Sequence, residues 1–401
     1  MAEIILKPGR EKSLLRRHPW IFSGAIRQDD PAIAPGSTVD LYSSDHCFLA
    51  RASYSPKSQI RARVWTFEDE VVDQAFFQRR IDAAIASRSV VAPSPSARLA
   101  NGDRRAIRIV YAESDGLPGL IVDRYGDVLV MQSLTAGSEY WKDTIAEVLI
   151  EKTGLSTLYE RSDSEVRELE GLGPKKGMLR GELQSVVIPI IENNLRFQIN
   201  LAEGHKSGFY LDQRRNRLRV RELARDKEVL DCFCYTGGFS VNALAGGAKS
   251  VLCVDSSFSA LSLCKEHVAL NQLPMDRHGA LEGDVFQCLR KFRDEKRCFD
   301  LIILDPPKFA PTAALAAKAA RAYKDINLLA FKLLRRNGIL VTFSCSGGVD
   351  AALFQKIVAG SALDAGVEAQ IVEFLSQDFD HPVALNFPEG AYLKGLVCLR
   401  N

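Results

Sequence analysis

The chain has 401 residues, of which 46% are hydrophobic and 25% are charged, and its formal net charge at pH 7 is +2. This composition is typical of a water-soluble globular protein with two or three domains. No apolar run approaches the roughly 20 residues that span a bilayer, and the basic N-terminus lacks the apolar core of a signal peptide. Membrane and secreted proteins are therefore excluded, and we expect a cytoplasmic protein.

Residues 1–70 are predicted to form a small β-barrel. Short β-like runs, separated by turn signals such as Pro8-Gly9, cover residues 4–6, 37–42, 47–52 and 60–65. Alternation in the last run places Arg61 and Arg63 on the face opposite its apolar residues. We expect that face to meet solvent or RNA.

Residues 71–185 are predicted to form a compact central α+β domain. An amphipathic helix is expected over 71–88 and a second helix over 141–152. The strand-like runs are 107–112, 120–123, 128–133 and 157–160. No catalytic constellation is evident in this region.

Residues 186–401 are predicted to form a doubly wound α/β domain. After a hairpin over 187–201, strands alternate with helices such as 256–271 and 313–335. The expected strands are 229–233, 250–255, 280–284, 299–305, 339–344, 367–375 and 393–399. Ligands bind such sheets at the carboxyl ends of the strands, so the residues just after each strand are the candidates for function.

A cofactor site is predicted where the first of these strands ends, at the Thr236-Gly237-Gly238 turn. Its glycines let backbone amides approach a ligand, but there is no GxGxxG pattern to cradle a pyrophosphate. Asp255 can accept hydrogen bonds from ribose hydroxyls and Asp284 from an adenine amine, which favours S-adenosylmethionine. Each aspartate taken alone is equally consistent with a helix N-cap. The predicted cofactor contacts are Asp231, Phe233, Tyr235, Thr236, Gly237, Asp255, Ser256, Asp284, Val285 and Asp305.

The nine cysteines have no paired CxxC spacing and no nearby histidines, so no metal site is predicted. Most are expected to be inert buried thiols. Cys345 differs, because it follows a strand in a small Ser-Cys-Ser-Gly-Gly turn, next to the strand that ends in Asp305-Pro306-Pro307. A thiolate there can add to carbon 6 of a cytosine and make carbon 5 nucleophilic toward a sulfonium methyl. Cys345 and Asp305 are therefore the predicted catalytic residues, Asp305 orienting the base.

Basic residues point to RNA as the partner. The segment 204–225 is rich in arginine, and Arg10, Arg16 and Arg17 lie near the N-terminus. A solvated arginine-rich face explains the first cluster equally well. The predicted RNA contacts are Arg10, Arg16, Arg17, Lys206, Arg215 and Lys308.

At these motifs the sequence resembles the bacterial 23S rRNA large-subunit methyltransferase I family, cytosine-C5 enzymes with an N-terminal PUA domain. The matching segments are 7–10, 18–24, 115–120, 206–214, 231–240, 305–308 and 344–346. The resemblance covers essentially the whole chain and implies PUA, central α+β and Rossmann-like methyltransferase domains. It also implies that Gln213 and Arg214 lie near the cofactor and that Cys345 is the nucleophile.

Two alternatives stay open. Many RNA cytosine-C5 methyltransferases carry a second cysteine after the two prolines, where this chain has Lys308. A guanine-N7 RNA methyltransferase shares the fold and needs no thiol, and a non-catalytic RNA-binding assembly factor would keep the fold without the chemistry. The cytosine-C5 reaction uses Cys345 as its nucleophile and the guanine-N7 reaction does not, so this residue separates those two interpretations. A homodimer is compatible with the sequence.

Overall fold

The computed structural model describes residues 2–27, 32–91, 104–204, 207–309 and 316–401. The chain divides into two compact units, each made of segments that are not contiguous in sequence. The first unit contains Met1–Ile190, Ile199–Leu211 and Phe379–Gly390. The second unit contains Ile191–Gln198, Asp212–Asp378 and Ala391–Asn401. The finer domain boundaries expected at residues 70 and 185 stay predictions.

The N-terminal part of the first unit is a five-stranded β-sheet with one short helix, α1 (Lys12–Leu15). Its strands are β1 (Ala2–Ile5), β2 (Trp20–Phe22), β3 (Thr38–Tyr42), β4 (Phe48–Tyr54) and β5 (Ile60–Thr66). They lie in the order β1-β3-β4-β5-β2, and apolar side chains such as Ile4, Val39 and Val64 pack into one core. The predicted β-rich N-terminal region is confirmed.

One expectation for strand β5 is wrong. Arg63 does not meet solvent or RNA, because it is only 7% exposed and its Nη1 donates to Glu170 Oε1 at 2.8 Å. Arg61, by contrast, is partly exposed. The carboxylate of Glu170 offsets the cost of burying the arginine charge. Because Arg63 is buried, both faces of this strand are covered near it.

The middle part of the first unit is a five-stranded sheet with helices. Its helices are α2 (Gln74–Val91), α3 (Ala136–Tyr140) and α4 (Lys142–Thr153). Its strands are β6 (Ala106–Tyr111), β7 (Leu120–Tyr125), β8 (Val128–Ser133), β9 (Thr157–Ser162) and β10 (Lys175–Arg180). The order is β10-β9-β8-β7-β6, and α2 and α4 contribute Phe77, Ile81 and Leu149 to a core shared with these strands.

A hairpin of strands β11 (Val187–Glu192) and β12 (Leu195–Asn200) precedes helix α5 (Arg214–Leu223). The two turn residues, Asn193 and Asn194, have φ angles of 50° and 63°. Asparagine tolerates this left-handed backbone, and positive φ at both positions is the geometry of a tight two-residue hairpin. The hairpin predicted over 187–201 is therefore present.

The second unit contains a seven-stranded sheet with helices between its strands. The strands are β13 (Glu228–Cys232), β14 (Ser250–Asp255), β15 (His278–Glu282), β16 (Phe299–Leu304), β17 (Leu334–Ser344), β18 (Ala369–Leu375) and β19 (Lys394–Arg400). The helices are α6 (Gly238–Ala245), α7 (Phe258–Leu270), α8 (Val285–Asp294), α9 (Ala316–Leu333) and α10 (Ala351–Ala365). The predicted Rossmann-like alternation is confirmed.

The strand order, β15-β14-β13-β16-β17-β19-β18, places a crevice at the carboxyl ends of β13 and β16. These two strands are parallel neighbours, but the chain runs outward from them in opposite directions. Such a switch point is where open α/β sheets bind ligands. β19 is antiparallel to both of its neighbours and brings the C-terminal segment beside β17. Within the described ranges, no helix has the length and hydrophobicity needed to cross a membrane.

Candidate active site

The turn between β13 and α6 has an unusual backbone. Phe233 and Tyr235 have φ angles of 60° and 49°, and Gly237 has a φ of 79°. A Cβ at Gly237 would lie 2.1 Å from Cys264 Sγ, so only glycine fits there. Non-glycine residues with positive φ are uncommon and cluster at ligand sites. The turn is therefore held in a conformation that exposes backbone groups to the crevice.

Asp255, at the end of β14, holds this turn in place. Its Oδ2 accepts a hydrogen bond from the Tyr235 N–H at 2.8 Å, and its Oδ1 accepts one from the Ser257 N–H at 2.9 Å. The residue is half-buried. Each carboxylate oxygen keeps a second acceptor site, so the group fits the two hydroxyls of a ribose.

Asp284 caps helix α8. Its Oδ1 accepts from the Gln287 N–H at 2.9 Å, so the N-cap interpretation is correct for this oxygen. The side chain is exposed and its other oxygen is compatible with an adenine amine. The neighbouring predicted contacts differ in exposure, since Val285 is buried and Ser256 is exposed.

Asp231 lies in the interior, at the end of β13. It is fully buried, and its Oδ2 accepts a hydrogen bond from the Ser240 hydroxyl at 2.5 Å. Burial raises the pKa of the Asp231 carboxyl well above its usual range. Its Oδ1 has no hydrogen-bond partner among the described residues. Because Asp231 is fully buried, this oxygen is not accessible to a ligand at the turn, and a direct cofactor contact by Asp231 stays a prediction.

Gln213 and Arg214 lie at the start of helix α5. Gln213 is 2% exposed, and its Oε1 accepts from Asn216 Nδ2 at 2.6 Å. Arg214 donates from Nη1 to Asp378 Oδ2 at 2.7 Å. Both side chains are thus fixed by neighbours in the second unit, and a role near the cofactor stays a prediction.

Cys345 and the Asp305-Pro306 turn lie side by side. The strands that precede them, β17 and β16, are parallel neighbours, with Leu304 opposite Thr342. Cys345 Sγ is 3.9 Å from the backbone oxygen of Pro306. Cys345 and Asp305 are each partly exposed and follow adjacent strand ends at the crevice.

A lysine that the sequence does not single out completes this corner. Lys394, on β19, donates from Nζ to the backbone oxygens of Ser346 and Tyr392, both at 2.8 Å. Burial lowers the pKa of Lys394 to about 8; the charge of Cys345 opposes this shift and that of Lys308 reinforces it. A cation with a perturbed pKa beside a thiol is a feature of reactive cysteines.

A series of aromatic rings in contact extends through the second unit from the cofactor turn to the residue next to Cys345. The ring centroids of Phe233 and Phe286 are 6.4 Å apart, those of Phe286 and Phe309 are 6.0 Å apart, and those of Phe309 and Tyr323 are 4.9 Å apart. The Tyr323 hydroxyl lies 2.9 Å from Ser346 Oγ. The three phenylalanines are half-buried, so they offer apolar surface for a planar ligand.

The predicted RNA contacts have different environments. Arg10, Arg16 and Arg17 in the first unit are exposed, as are Arg215 and Lys308 in the second unit. Arg17 pairs with Glu68 at 3.1 Å, but both side chains are more than 60% exposed. Lys206 lies outside the described residues.

Two further arginines of helix α5 pair with carboxylates, so the arginine-rich segment 204–225 is not uniformly open to phosphates. Arg217 is buried, and its guanidinium donates to both oxygens of Glu192 at 2.6 and 2.7 Å. Arg219 donates to Glu373 at 2.6 Å. Glu192 and Glu373 neutralise these two guanidinium groups within the second unit, because a charged group removed from water needs a partner of opposite charge.

Family models match two parts of the chain. A model for S-adenosylmethionine-dependent methyltransferases matches residues 177–362, and one for a PUA-like domain matches residues 4–67. The ribosomal RNA large subunit methyltransferases I of Yersinia pseudotuberculosis and Yersinia pestis are each 48% identical over 398 residues, 99% of either chain. The chain belongs to the ribosomal RNA large subunit methyltransferase I family.

Solved structures support the fold of this family member. A protein from Streptococcus mutans assigned as a SAM-dependent methyltransferase matches with a TM-score of 0.84 and 22% identity, over 100% of both chains. Another assigned methyltransferase, complexed with SAH, matches with a TM-score of 0.85. The cofactor is S-adenosylmethionine, and the carboxylate of the half-buried Asp255 fits the hydroxyls of its ribose.

Proposed function

We propose that the protein methylates carbon 5 of a cytosine in large-subunit ribosomal RNA, with Cys345 as the nucleophile. The observation that carries the proposal is the position of this thiol, partly exposed at the end of β17 and 3.9 Å from the Pro306 oxygen. The names of the relatives support ribosomal RNA as the substrate. A guanine-N7 reaction would have no use for a thiol at this place.

The chemistry assigns a separate task to each residue. S-adenosylmethionine supplies an electrophilic methyl group. Cys345 adds as a thiolate to carbon 6 of the cytosine, which gives carbon 5 the electron density to attack. Asp305 hydrogen-bonds the base and orients it. Loss of the carbon 5 proton to a base then expels the Cys345 thiolate and restores the ring.

Lys394 increases the fraction of Cys345 that is present as thiolate, which the addition to carbon 6 requires. An unperturbed cysteine is only a few per cent thiolate at neutral pH. The Lys394 ammonium, anchored to the Ser346 oxygen next to Cys345, favours the anionic thiol by direct charge attraction. This lysine therefore replaces the function of an activating histidine in other thiol enzymes.

RNA engagement is proposed to involve the PUA-like domain and the exposed basic residues. Arg10, Arg16 and Arg17 lie in or next to that domain's first strands and are open to phosphates. Reaching Cys345 requires the target base to leave its stack, which costs less in a loop or strained helix. The target nucleotide is therefore expected in unpaired or distorted RNA. The compartment proposed for the reaction is the cytoplasm.

Covalent trapping tests the mechanism. RNA with 5-fluorocytosine at the target has no proton to lose from carbon 5, so the methylated adduct should stay attached through Cys345. Cys345→Ala should lose both trapping and methyl transfer but keep S-adenosylmethionine binding. Cys298→Ser, which changes an exposed cysteine, is the matched control and should trap normally.

The decisive readout is the site of the adduct and the identity of the product nucleoside. Mass spectrometry of digested RNA should give 5-methylcytidine, and peptide mapping should place the adduct on Cys345. Full activity in Cys345→Ala, together with 7-methylguanosine as product, would establish the guanine-N7 alternative instead. Cofactor binding without any methylated product would favour a non-catalytic assembly factor.

A further inference from the structure

Three soft metal-ligand side chains converge behind the cofactor turn. Cys253 lies on β14, Cys264 on α7 and His278 at the start of β15. Cys253 Sγ is 3.8 Å from Cys264 Sγ, and His278 Nε2 is 3.4 Å from Cys253 Sγ and 3.5 Å from Cys264 Sγ. None of the three belongs to the proposed reaction.

These separations match the edges of a zinc tetrahedron. Zn–S bonds of about 2.3 Å and Zn–N bonds of about 2.0 Å at tetrahedral angles give an S–S edge of about 3.8 Å and an S–N edge of about 3.5 Å. The observed triangle of ligand atoms needs almost no rearrangement to close around such an ion. Two thiols packed as ordinary core residues do not require an imidazole nitrogen equidistant from both sulfurs.

The surroundings also suit a bound cation. Cys253 and Cys264 are buried, whereas His278 is half-exposed and offers a route for entry. Ser240 Oγ lies 2.9 Å from Cys253 Sγ and 2.5 Å from Asp231 Oδ2, so a polar group adjoins this ligand in the interior. Water would take the fourth position, because no further His, Cys, Asp or Glu ligand atom among the described residues joins this group of three.

We propose that Cys253, Cys264 and His278 form a structural site for a thiophilic divalent cation of the Zn²⁺ class. The site joins β14, α7 and β15, and Cys264 is the residue against which Gly237 of the cofactor turn packs. A bound ion would therefore hold in place Cys264, which packs against the cofactor turn, without taking part in methyl transfer. The absence of CxxC spacing hides the site, because the ligands are 11 and 14 residues apart and meet only in the folded sheet.

Cobalt is the probe for the test, because Co²⁺ occupies zinc sites and its thiolate complexes absorb light. The full chain, purified under reducing conditions without metal, should bind one equivalent of Co²⁺ with a thiolate charge-transfer band that Zn²⁺ abolishes. Zn²⁺ should also raise the thermal midpoint of the wild-type protein by mass action. Cys264→Ser and His278→Gln should lose the band and the thermal shift.

Matched controls separate this site from surface binding. Cys47→Ser and Cys298→Ser alter exposed cysteines, and each should retain one equivalent and the full band. His278 is half-exposed, so His278→Gln decides the matter even if the buried Cys264→Ser does not fold. No charge-transfer band in the wild type, or a band that persists in His278→Gln or disappears in Cys47→Ser, would overturn the proposal.

Discussion

Lys394 donates a hydrogen bond from Nζ to the backbone oxygen of Ser346 at 2.8 Å, one residue beyond Cys345. The interaction joins two strands that are antiparallel neighbours, with Ser344 opposite Lys394. The interaction fixes a cation near the Cys345 thiol, although Lys394 follows Cys345 by almost fifty positions in the sequence. The protonation of Lys394 should therefore govern the reactivity of Cys345.

The first prediction concerns pH. Burial lowers the pKa of Lys394 to about 8, so the ammonium is present below that pH and is lost as the pH rises through it. The single-turnover rate should rise with pH as thiolate forms and then fall above about pH 8. Lys394→Arg keeps its charge and should abolish the alkaline fall.

Removing the cation tests the same interaction at neutral pH. If it is worth about one pKa unit to the thiol, Lys394→Met should lower the rate about tenfold. Lys332→Met, which changes an exposed lysine on α9, serves as the control and should leave the rate unchanged. An unaltered pH profile in both Lys394 variants would contradict a role in activating Cys345.

The second prediction is that Asp255 contributes to cofactor affinity through its charge. Asp255→Asn keeps an acceptor for the Tyr235 N–H but removes the anion that would receive the ribose hydroxyls. Binding of S-adenosylmethionine should weaken by roughly 1.5–3 kcal/mol in free energy, as for other hydrogen bonds to charged groups. Isothermal titration measures it, with the exposed Glu368→Gln as control; equal affinities for the two variants would rule out the ribose contact.

The third prediction concerns RNA. Replacing Arg10, Arg16 and Arg17 with glutamine should weaken binding and flatten the dependence of log K on log salt, by about 0.7 for each phosphate of single-stranded RNA that is no longer neutralised. The control changes three exposed cations of the second unit, Lys332, Arg336 and Lys356, and removes the same charge. Equal slopes for the two triple variants would show that net charge, not these arginines, engages the RNA.

The fourth prediction concerns stability. Glu192 and Arg217 form a bidentate pair with side chains 1% and 3% exposed. Glu192→Gln should lower the free energy of unfolding by about 3–5 kcal/mol, because it leaves a buried guanidinium without its countercharge. Arg219→Gln breaks a partly exposed pair with Glu373 and should cost less than about 1 kcal/mol. Denaturant titration compares the two, and similar losses would mean that burial does not set the strength of these pairs.

The sequence predicts the parts of the site that local pattern determines. Asp255 and Cys345 can be identified because each directly follows an apolar strand, and parallel strand ends share one edge of a sheet. Lys394 cannot be identified this way, since its position depends on the register of the antiparallel strand β19 against β17. The arginines of α5 look alike in sequence, and only packing distinguishes the buried Arg217 from the exposed Arg215.

The segment Phe379–Gly390 belongs to the first unit although it lies near the end of the chain. There Asp380 accepts hydrogen bonds from the Arg108 N–H at 3.0 Å and from Arg88 at 3.2 Å. After synthesis of the first 190 residues these hydrogen bonds cannot form until nearly the whole polypeptide has been made. On the ribosome the N-terminal unit should finish folding late, and neither unit can be cut out as one continuous fragment or exchanged between relatives as an independent module.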